Sequence, residues 1–204
     1  MKKVNFIYPD LYLASEIAII GSSGILKTAK YGQEIDSYND VVRFNRAPTE
    51  GFEDIAGSKR TLTVANRHVF ANKQLNKKSG WKQDNPDFIK ELKHSKILYF
   101  ARPSKVWEDR EKNIDVTSQA YKVNGYQKML EVIKYPRKIP SVGYGFICIC
   151  VNSGIFPHLY GFDVEVRPRD HYWENRDGLA THNINYEMNS LIKLDKEKKI
   201  KIHL

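Results

Sequence analysis

The chain has 204 residues, of which 41% are hydrophobic, and a formal net charge of +9. That length suits one substantial hydrophobic core and is short for two, so we predict a single domain covering residues 1–204. No window holds the roughly 18 apolar residues of a transmembrane helix. Pro9, Asp10 and Glu16 interrupt the N-terminal apolar stretch before it reaches the length of a signal core. These features argue against an integral membrane protein and predict a cytoplasmic one.

The positive charge suits an anionic partner such as a sugar nucleotide, nucleic acid or an acidic membrane face. Many of the lysines lie in two polar segments, 73–82 and 193–201, which are typical of solvated surface. Because no long basic block is interleaved with aromatic residues and the arginines are dispersed, the pattern argues against nucleic-acid binding. Peripheral association with the inner face of a membrane stays open.

Apolar runs bounded by turn residues predict strands, and longer stretches with helical periodicity predict helices. The strands are expected at 17–20, 40–44, 61–65, 96–101 and 158–162. The helices are expected at 87–94, 118–134, 143–152 and 183–196. Their alternation predicts an α/β protein with a Rossmann-like, mostly parallel sheet and helices on both faces.

The predicted helix 143–152 contains the only two cysteines, Cys148 and Cys150. Two residues apart, they would point about 200° apart on a helix and would share one face of a strand. Neither geometry favours a disulfide or a metal-binding pair. We therefore expect two buried thiols.

Two predicted strands end in loops with many possible hydrogen-bond donors. The first runs into the Gly-x-x-Gly turn of residues 21–24, and the second into Asn45-Arg46-Ala47-Pro48. The carboxyl ends of parallel strands share one edge of a sheet, so we expect these loops to meet. A glycine turn that opens a helix aims N–H groups at one point, which favours phosphate or carboxylate. Asn66, just after the third strand, is a further candidate for this pocket.

Four sets of residues carry a more specific pattern. They are Tyr31-Gly32-Gln33-Glu34-Ile35-Asp36-Ser37 with 42–49 and Gly57-Ser58-Lys59, Pro140-Ser141-Val142-Gly143 with Tyr160-Gly161-Phe162, His171-Tyr172-Trp173-Glu174, and His182 with Glu187. In this order they resemble the large, small, third and very small sialylmotifs of the animal-type sialyltransferases, glycosyltransferase family 29. The resemblance covers 17–59, 140–162, 171–174 and 182–187. It implies a GT-A variant type of fold and transfer of sialic acid from CMP-sialic acid to a glycan hydroxyl.

Such a transfer needs a base for the acceptor hydroxyl and stabilisation of the charge that grows on the CMP phosphate. The resemblance implies that His182 is the base, which suits a group whose unperturbed pKa is near neutrality. Thr181 is the expected N-cap of the next helix, whose positive end would favour neutral imidazole. The resemblance implies that His171 donates to the phosphate, with Asp170 and Glu174 beside it to raise its pKa.

The remaining site assignments also come from the resemblance. The donor pocket is expected to contain Ser22, Ser23, Gly24, Asn45, Asn66, Ser141, Val142 and Gly143. Supporting positions are Tyr172, Glu174 and Glu187. Glu187 is expected to orient or support the site, with a plain solvated helix position as the alternative. Tyr172 and Trp173 are expected to pack against the core more than to bind sugar.

The chain departs from the family pattern at two donor positions. Ser22 stands where the family usually has Asn, and Val142 where it usually has Thr. Both changes remove polar groups. Transfer of another CMP-linked acid sugar such as Kdo, or a non-catalytic CMP-sugar or glycan-binding module, therefore stay open as alternatives. The cysteines that animal members join in a disulfide correspond here to Ile17 and Gly154, which fits a reducing compartment.

No Asp-x-Asp stands between predicted strands to hold Mg²⁺ and a diphosphate. This pattern favours transfer without a metal or other cofactor, and the resemblance implies the same together with inversion at the anomeric carbon. A metal hydrolase built on His171, Glu174 and His182 is a third possibility. Pro168 argues against it, because it favours a loop over the helical turn that such a ligand set would use.

Overall fold

The computed structural model describes residues 3–5, 11–66, 95–100, 120–123, 133, 135, 140–163, 171–173 and 183–204, with the backbone alone at 3–5, 99–100 and 120–123. The predicted helix 87–94 lies outside the described residues. So do the predicted site residues Glu174 and His182, and the predicted cap Thr181.

Parallel strands dominate the described part of the chain. The strands are β1 (Lys3–Asn5), β2 (Tyr12–Ala14), β3 (Glu16–Ile20), β4 (Val41–Phe44), β5 (Leu62–Asn66), β6 (Lys96–Phe100), β7 (Ala120–Val123), β8 (Phe156–Tyr160) and β9 (Lys201–His203). β1 and β2 form an antiparallel pair. The other seven form one sheet in the order β7-β6-β5-β4-β3-β8-β9, in which every pair of neighbours is parallel. The predicted α/β class with a mostly parallel sheet is confirmed.

Four α-helices and one 3-10 helix are described. They are the 3-10 helix Gly24–Thr28, α1 (Gly32–Ser37), α2 (Glu53–Ala56), α3 (Val142–Asn152) and α4 (Ile184–Lys196). The side chain of Ser141 caps α3 by accepting a hydrogen bond from the Tyr144 amide at 3.1 Å. Asn183 caps α4 in the same way, so the prediction that Thr181 is the cap is wrong. Asn serves this position as well as Thr does, and the sequence pattern alone does not separate the two.

The interior strand β3 shows why helices pack on both faces of the sheet. Successive side chains of a strand point to opposite faces. Ile17 and Ile19 join a buried cluster that contains residues of α3 and α4. Ala18 and Ile20 join a second cluster that contains residues of the 3-10 helix, α1 and α2. A strand covered on both faces has to be apolar along its length, as residues 17–20 are.

The sequence predicted the long, strongly patterned elements and missed the short ones. The five predicted strands and the helices at 143–152 and 183–196 are confirmed, with ends shifted by one or two residues. The predicted helix 118–134 is wrong at its start, because Ala120–Val123 forms β7 beside β6. Its aromatic and β-branched residues suit a strand, and pairing with β6 outweighs a weak helical period. β1, β2 and β9 are too short for a period to show.

The strand order also marks a position for a ligand. β3 and β8 are neighbours, with Ile20 paired to Tyr160. α1, which lies between β3 and β4 in the chain, packs on one face of the sheet, and α4, which lies between β8 and β9, packs on the other. Parallel α/β sheets bind ligands beyond the carboxyl ends of their strands, at the point where successive connections diverge in this way. The ends of β3 and β8 are therefore the expected position of a site.

Candidate functional site

The glycine turn after β3 is pressed against the loop after β8. The Gly21 amide donates to the Tyr160 carbonyl at 2.7 Å, and the Ser23 amide donates to the Gly161 carbonyl at 3.1 Å. A Cβ atom on Gly21 would lie 2.2 Å from the Gly161 oxygen, so no other residue fits at position 21 without moving a loop. The amides of Gly21 and Ser23, which the sequence analysis assigned to anion binding, therefore donate to backbone carbonyls at the end of β8. The glycine turn thus forms a joint, by which we mean the hydrogen-bonded contact between the loops after β3 and β8, and it is also a candidate ligand contact.

Ser23 has a second role at this joint. Its Oγ accepts a hydrogen bond from the Ile25 amide at 3.1 Å, which caps the 3-10 helix that begins at Gly24. The same hydroxyl donates to Oδ2 of Asp163, two residues beyond Gly161. Sequence reasoning missed Asp163. The one available signal was its place directly after Tyr160-Gly161-Phe162, the last residues of the small-motif resemblance.

Asn45 and Asn66 come together at the carboxyl ends of β4 and β5. Asn45 has a backbone φ of 51°, a left-handed conformation that Asn adopts more readily than most residues. Its amide donates to the Val64 carbonyl at 3.0 Å, and its side-chain oxygen accepts from the Asn66 amide at 3.1 Å. The side chain is therefore fixed beside β5 before any ligand arrives.

The start of α3 lies against both of these loop regions. A Cβ atom on Gly143 would be 3.7 Å from the ring of Phe44, the last residue of β4, and from the ring of Phe162, two residues after β8. The first turn of α3, with Val142 and Gly143, therefore lies at the same edge of the sheet as the glycine turn. The start of α3 and the ends of β4 and β8 thus lie together at one edge of the sheet.

Glu187 anchors the start of α3 from α4. It is 2% exposed, and its Oε1 accepts from the Ser141 amide at 2.8 Å and from the Tyr135 hydroxyl at 2.7 Å. Its Oε2 accepts from the Ser141 hydroxyl at 2.6 Å. The solvated alternative for Glu187 is wrong, because the carboxylate is buried and spans two helices. The Ser141 hydroxyl donates its one proton to Glu187 and accepts from the Tyr144 amide, so it can meet a ligand only as an acceptor.

His171, Tyr172 and Trp173 form a short segment across the glycine turn. His171 makes an antiparallel bridge with Ser23, and the Tyr172 amide donates to the Ser22 carbonyl at 3.0 Å. The Tyr172 hydroxyl donates to the Pro48 carbonyl, so one side chain joins this segment to the loop after β4. Tyr172 is 1% exposed, which fits a packing role. The His171 ring lies 4.3 Å from the Trp173 ring, between centroids.

Several large-motif residues hold the scaffold instead of facing the site. Arg43 is fully buried and donates to the carbonyls of Ala56, Gly57 and Lys59. Asp36 accepts hydrogen bonds from the amides of the adjacent Ser58 and Lys59 and from the Ser58 hydroxyl. Burial opposes ionisation of Asp36, but these hydrogen bonds outweigh it and lower its pKa. A motif resemblance does not by itself separate such structural residues from ligand contacts.

Two findings bear on metals and membranes. Within the residues described, no group of three or more His, Cys, Asp or Glu side chains is arranged to hold a metal ion. None of the described helices combines the length and apolar character needed to cross a bilayer. Cys148 and Cys150 are free thiols on α3, and burial raises the pKa of Cys148 to about 11.

Comparisons with known proteins identify relatives of this chain. A family model described as "Glycosyltransferase family 29 (sialyltransferase)" matches residues 14–199. The chain is 27% identical over 199 residues to the "CMP-N-acetylneuraminate-beta-galactosamide-alpha-2,3-sialyltransferase 2" of Mus musculus, covering 91% of this chain and 56% of the mouse protein. A shorter match, 39% identical over 64 residues, covers 31% of this chain and 12% of the "Beta-galactoside alpha-2,6-sialyltransferase 2" of Takifugu rubripes.

The fold also has a solved counterpart. The chain is similar to the crystal structure of a mammalian sialyltransferase in complex with Gal-beta-1-3GalNAc-ortho-nitrophenol, with a TM-score of 0.64 and 23% identity. That match covers 92% of this chain and 68% of the other. The chain spans little more than half the length of the mouse relative. Since the family model runs from β2 through α4 and takes in each motif segment, the chain belongs to glycosyltransferase family 29, the sialyltransferase family.

Proposed function

We propose that this chain transfers sialic acid from CMP-sialic acid to a hydroxyl of a glycan acceptor. The observation that supports this most directly is the meeting of three motif segments at one edge of the sheet. The glycine turn contacts the segment that begins at His171. Gly143 at the start of α3 packs beside Phe44 and Phe162, at the ends of β4 and β8. Family membership supplies the donor, since the matched mouse protein is named for CMP-N-acetylneuraminate.

The proposed reaction breaks the bond between the anomeric carbon and the phosphate oxygen of CMP and forms a bond to the acceptor oxygen. His182 takes the acceptor proton, and His171 donates a hydrogen bond to the departing phosphate. A single displacement of this kind inverts the anomeric carbon. The leaving group, CMP, carries a monophosphate, whose negative charge needs less neutralisation than that of a diphosphate. We therefore propose that the transfer runs without a metal or other cofactor.

The donor sugar is the least constrained part of the proposal. Val142 is the first residue of α3, and its apolar side chain stands at a position where the family usually offers a hydroxyl. Ser22 is likewise a departure from the family pattern. CMP-Kdo is therefore the second candidate donor. A CMP-sugar or glycan-binding module without turnover is the second candidate activity.

Calorimetric titration separates these possibilities. CMP, CMP-sialic acid and CMP-Kdo are titrated into the protein with EDTA present, and UMP and UDP serve as controls. We expect selective binding of the CMP compounds, with the tighter sugar nucleotide identifying the donor to pair with a panel of acceptors. Failure to bind CMP, or binding that EDTA abolishes, would contradict the proposed metal-independent transfer. Binding of CMP-sialic acid without turnover on any acceptor would favour the binding module.

A further inference from the structure

One carboxylate oxygen of Asp163 has no hydrogen-bond partner among the described residues. Its Oδ2 accepts from the Ser23 hydroxyl, whereas its Oδ1 is screened from solvent and has no hydrogen-bond partner within the part of the chain that the structure describes. Leaving a buried acceptor unpaired is costly, and for a charged group more so than for a neutral one. A native fold that retains such an atom has a reason for it, and an absent ligand is one such reason.

The position of Asp163 provides an independent argument for a ligand. It follows β8, and its partner Ser23 follows β3. These two strands are adjacent, and the α-helices that follow them in the chain, α1 and α4, pack on opposite faces of the sheet. The Ser23–Asp163 pair thus lies at the switch point where α/β sheets bind their ligands. His171, bridged to Ser23, is beside the same pair.

The chemistry of the pair restricts which part of a ligand it contacts. An ionised carboxylate only accepts hydrogen bonds, and it repels phosphate and carboxylate groups. A CMP-sugar therefore has to present a neutral hydroxyl or amino group to Asp163. In dinucleotide-binding α/β folds, an acidic residue close to the glycine turn binds a ribose hydroxyl. That residue lies about 20 residues beyond the turn, whereas Asp163 follows β8, on the opposite side of β3 from β4, and shares with it a carboxylate placed beside the glycine turn.

We propose that Asp163 binds a ribose hydroxyl of the donor nucleotide through Oδ1, while Ser23 holds the carboxylate in place through Oδ2. This inference rests on the proposed function, because it takes the ligand to be a CMP-sugar. It makes Asp163 a binding residue that selects ribonucleotides over deoxyribonucleotides. It also directs the phosphate away from Asp163 within the site.

The test measures binding of CMP, 2′-deoxy-CMP and 3′-deoxy-CMP by calorimetry at one salt concentration. We expect the unmodified protein to bind at least one of the deoxynucleotides roughly 10-fold or more weakly than CMP, as loss of a hydrogen bond to a charged group implies. In Asp163→Ala, affinity for CMP should fall by a similar factor, and CMP and that deoxynucleotide should bind equally. Asp54→Asn is the matched control, since Asp54 is 83% exposed.

Each outcome bears on the inference. Equal binding of CMP and both deoxynucleotides by the unmodified protein would overturn it, as would discrimination that survives Asp163→Ala. If the variant loses preference for CMP over UMP instead, the carboxylate binds the base and the ribose assignment is wrong. Asp163→Leu keeps the branched shape of the side chain without a hydrogen-bond acceptor and replaces Asp163→Ala if that variant does not fold. Failure of the unmodified protein to bind CMP contradicts the proposed function itself.

Discussion

Glu187 illustrates how one buried side chain ties distant motifs together. Its two oxygens accept three hydrogen bonds, two from Ser141 at the start of α3 and one from Tyr135. Asn183, the cap of α4, donates its amide to the same Tyr135 hydroxyl at 3.3 Å. The caps of α3 and α4 are therefore linked through two side chains. Displacing Glu187 would disturb the start of both helices.

The substitution Glu187→Gln should destabilise the protein by about 1–3 kcal/mol, because an amide nitrogen then replaces an oxygen that faces a hydrogen-bond donor. The free energy of unfolding is measured by urea denaturation. Glu50→Gln, at an exposed loop position, is the control and should change stability little. Equal stability of the two variants would contradict the role assigned to the carboxylate.

His182 is the residue on which the proposed chemistry depends most. In His182→Ala, we expect turnover to fall by about 10²–10⁴, the usual contribution of a general base, with CMP affinity nearly unchanged. Turnover is measured with the donor and acceptor that the binding experiments identify. Retained CMP binding shows that the variant is folded. A variant with near-full activity would remove His182 from the mechanism.

At the scale of elements, the joint between the loops after β3 and β8 depends on glycine. The substitution Gly21→Ala places a methyl group where the Gly161 carbonyl lies, so the two loops must separate and the Gly21–Tyr160 hydrogen bond must weaken. We expect a clear loss of both stability and CMP affinity. Thermal denaturation and calorimetry measure the two effects.

Gly154→Ala is the matched control for this change. Gly154 has a φ of 74° and open space where its Cβ would lie, so alanine there costs only backbone strain of about 1–2 kcal/mol. It should leave CMP affinity unchanged. If Gly21→Ala were no more harmful than Gly154→Ala in either measurement, the close approach of the loops would not matter.

A row of titratable side chains contacts the edge strand β9. His158 Nδ1 and His203 Nε2 are 3.2 Å apart, and the outer nitrogens lie 3.6 Å from Glu16 and 3.5 Å from Glu34. Burial lowers the pKa of His203 below its usual 6.5, an effect that His158 and Lys201 reinforce and that Glu34 and Asp195 oppose. The folded state therefore prefers His203 neutral.

A lowered pKa in the folded state means that the unfolded chain takes up the proton first as pH falls. The contribution of His203 to stability is thus constant above about pH 7. It declines as pH falls through the unfolded value of 6.5 towards the lower folded value. In His203→Gln, the fall of unfolding free energy between about pH 7 and pH 5 should be shallower than in the unmodified protein. Parallel urea denaturations at each pH give the two slopes, and identical slopes would contradict this assignment.

At the scale of the whole molecule, the features that could be predicted from the sequence are those that depend on local residue patterns. Continuous apolar runs such as 17–20 mark strands that are covered on both faces, and the strand topology then brings the glycine turn and Asn45 to one edge. The Ser141–Glu187 and Ser23–Asp163 hydrogen bonds join residues far apart in the chain. They depend on packing between elements, which leaves no periodicity in the sequence.

The neighbours of the interior strand β3 come from distant parts of the chain, since Ala18 pairs with both Val41 and His158. A nucleotide held between the loops after β3 and β8 would act as a non-covalent crosslink in the middle of the sheet. Such a ligand stabilises the folded state by about 2.7 kcal/mol at 100 times its Kd. Amide hydrogen exchange in β3 and β8 should therefore slow when the nucleotide is bound, while the separate β1–β2 pair keeps its own rate of local opening.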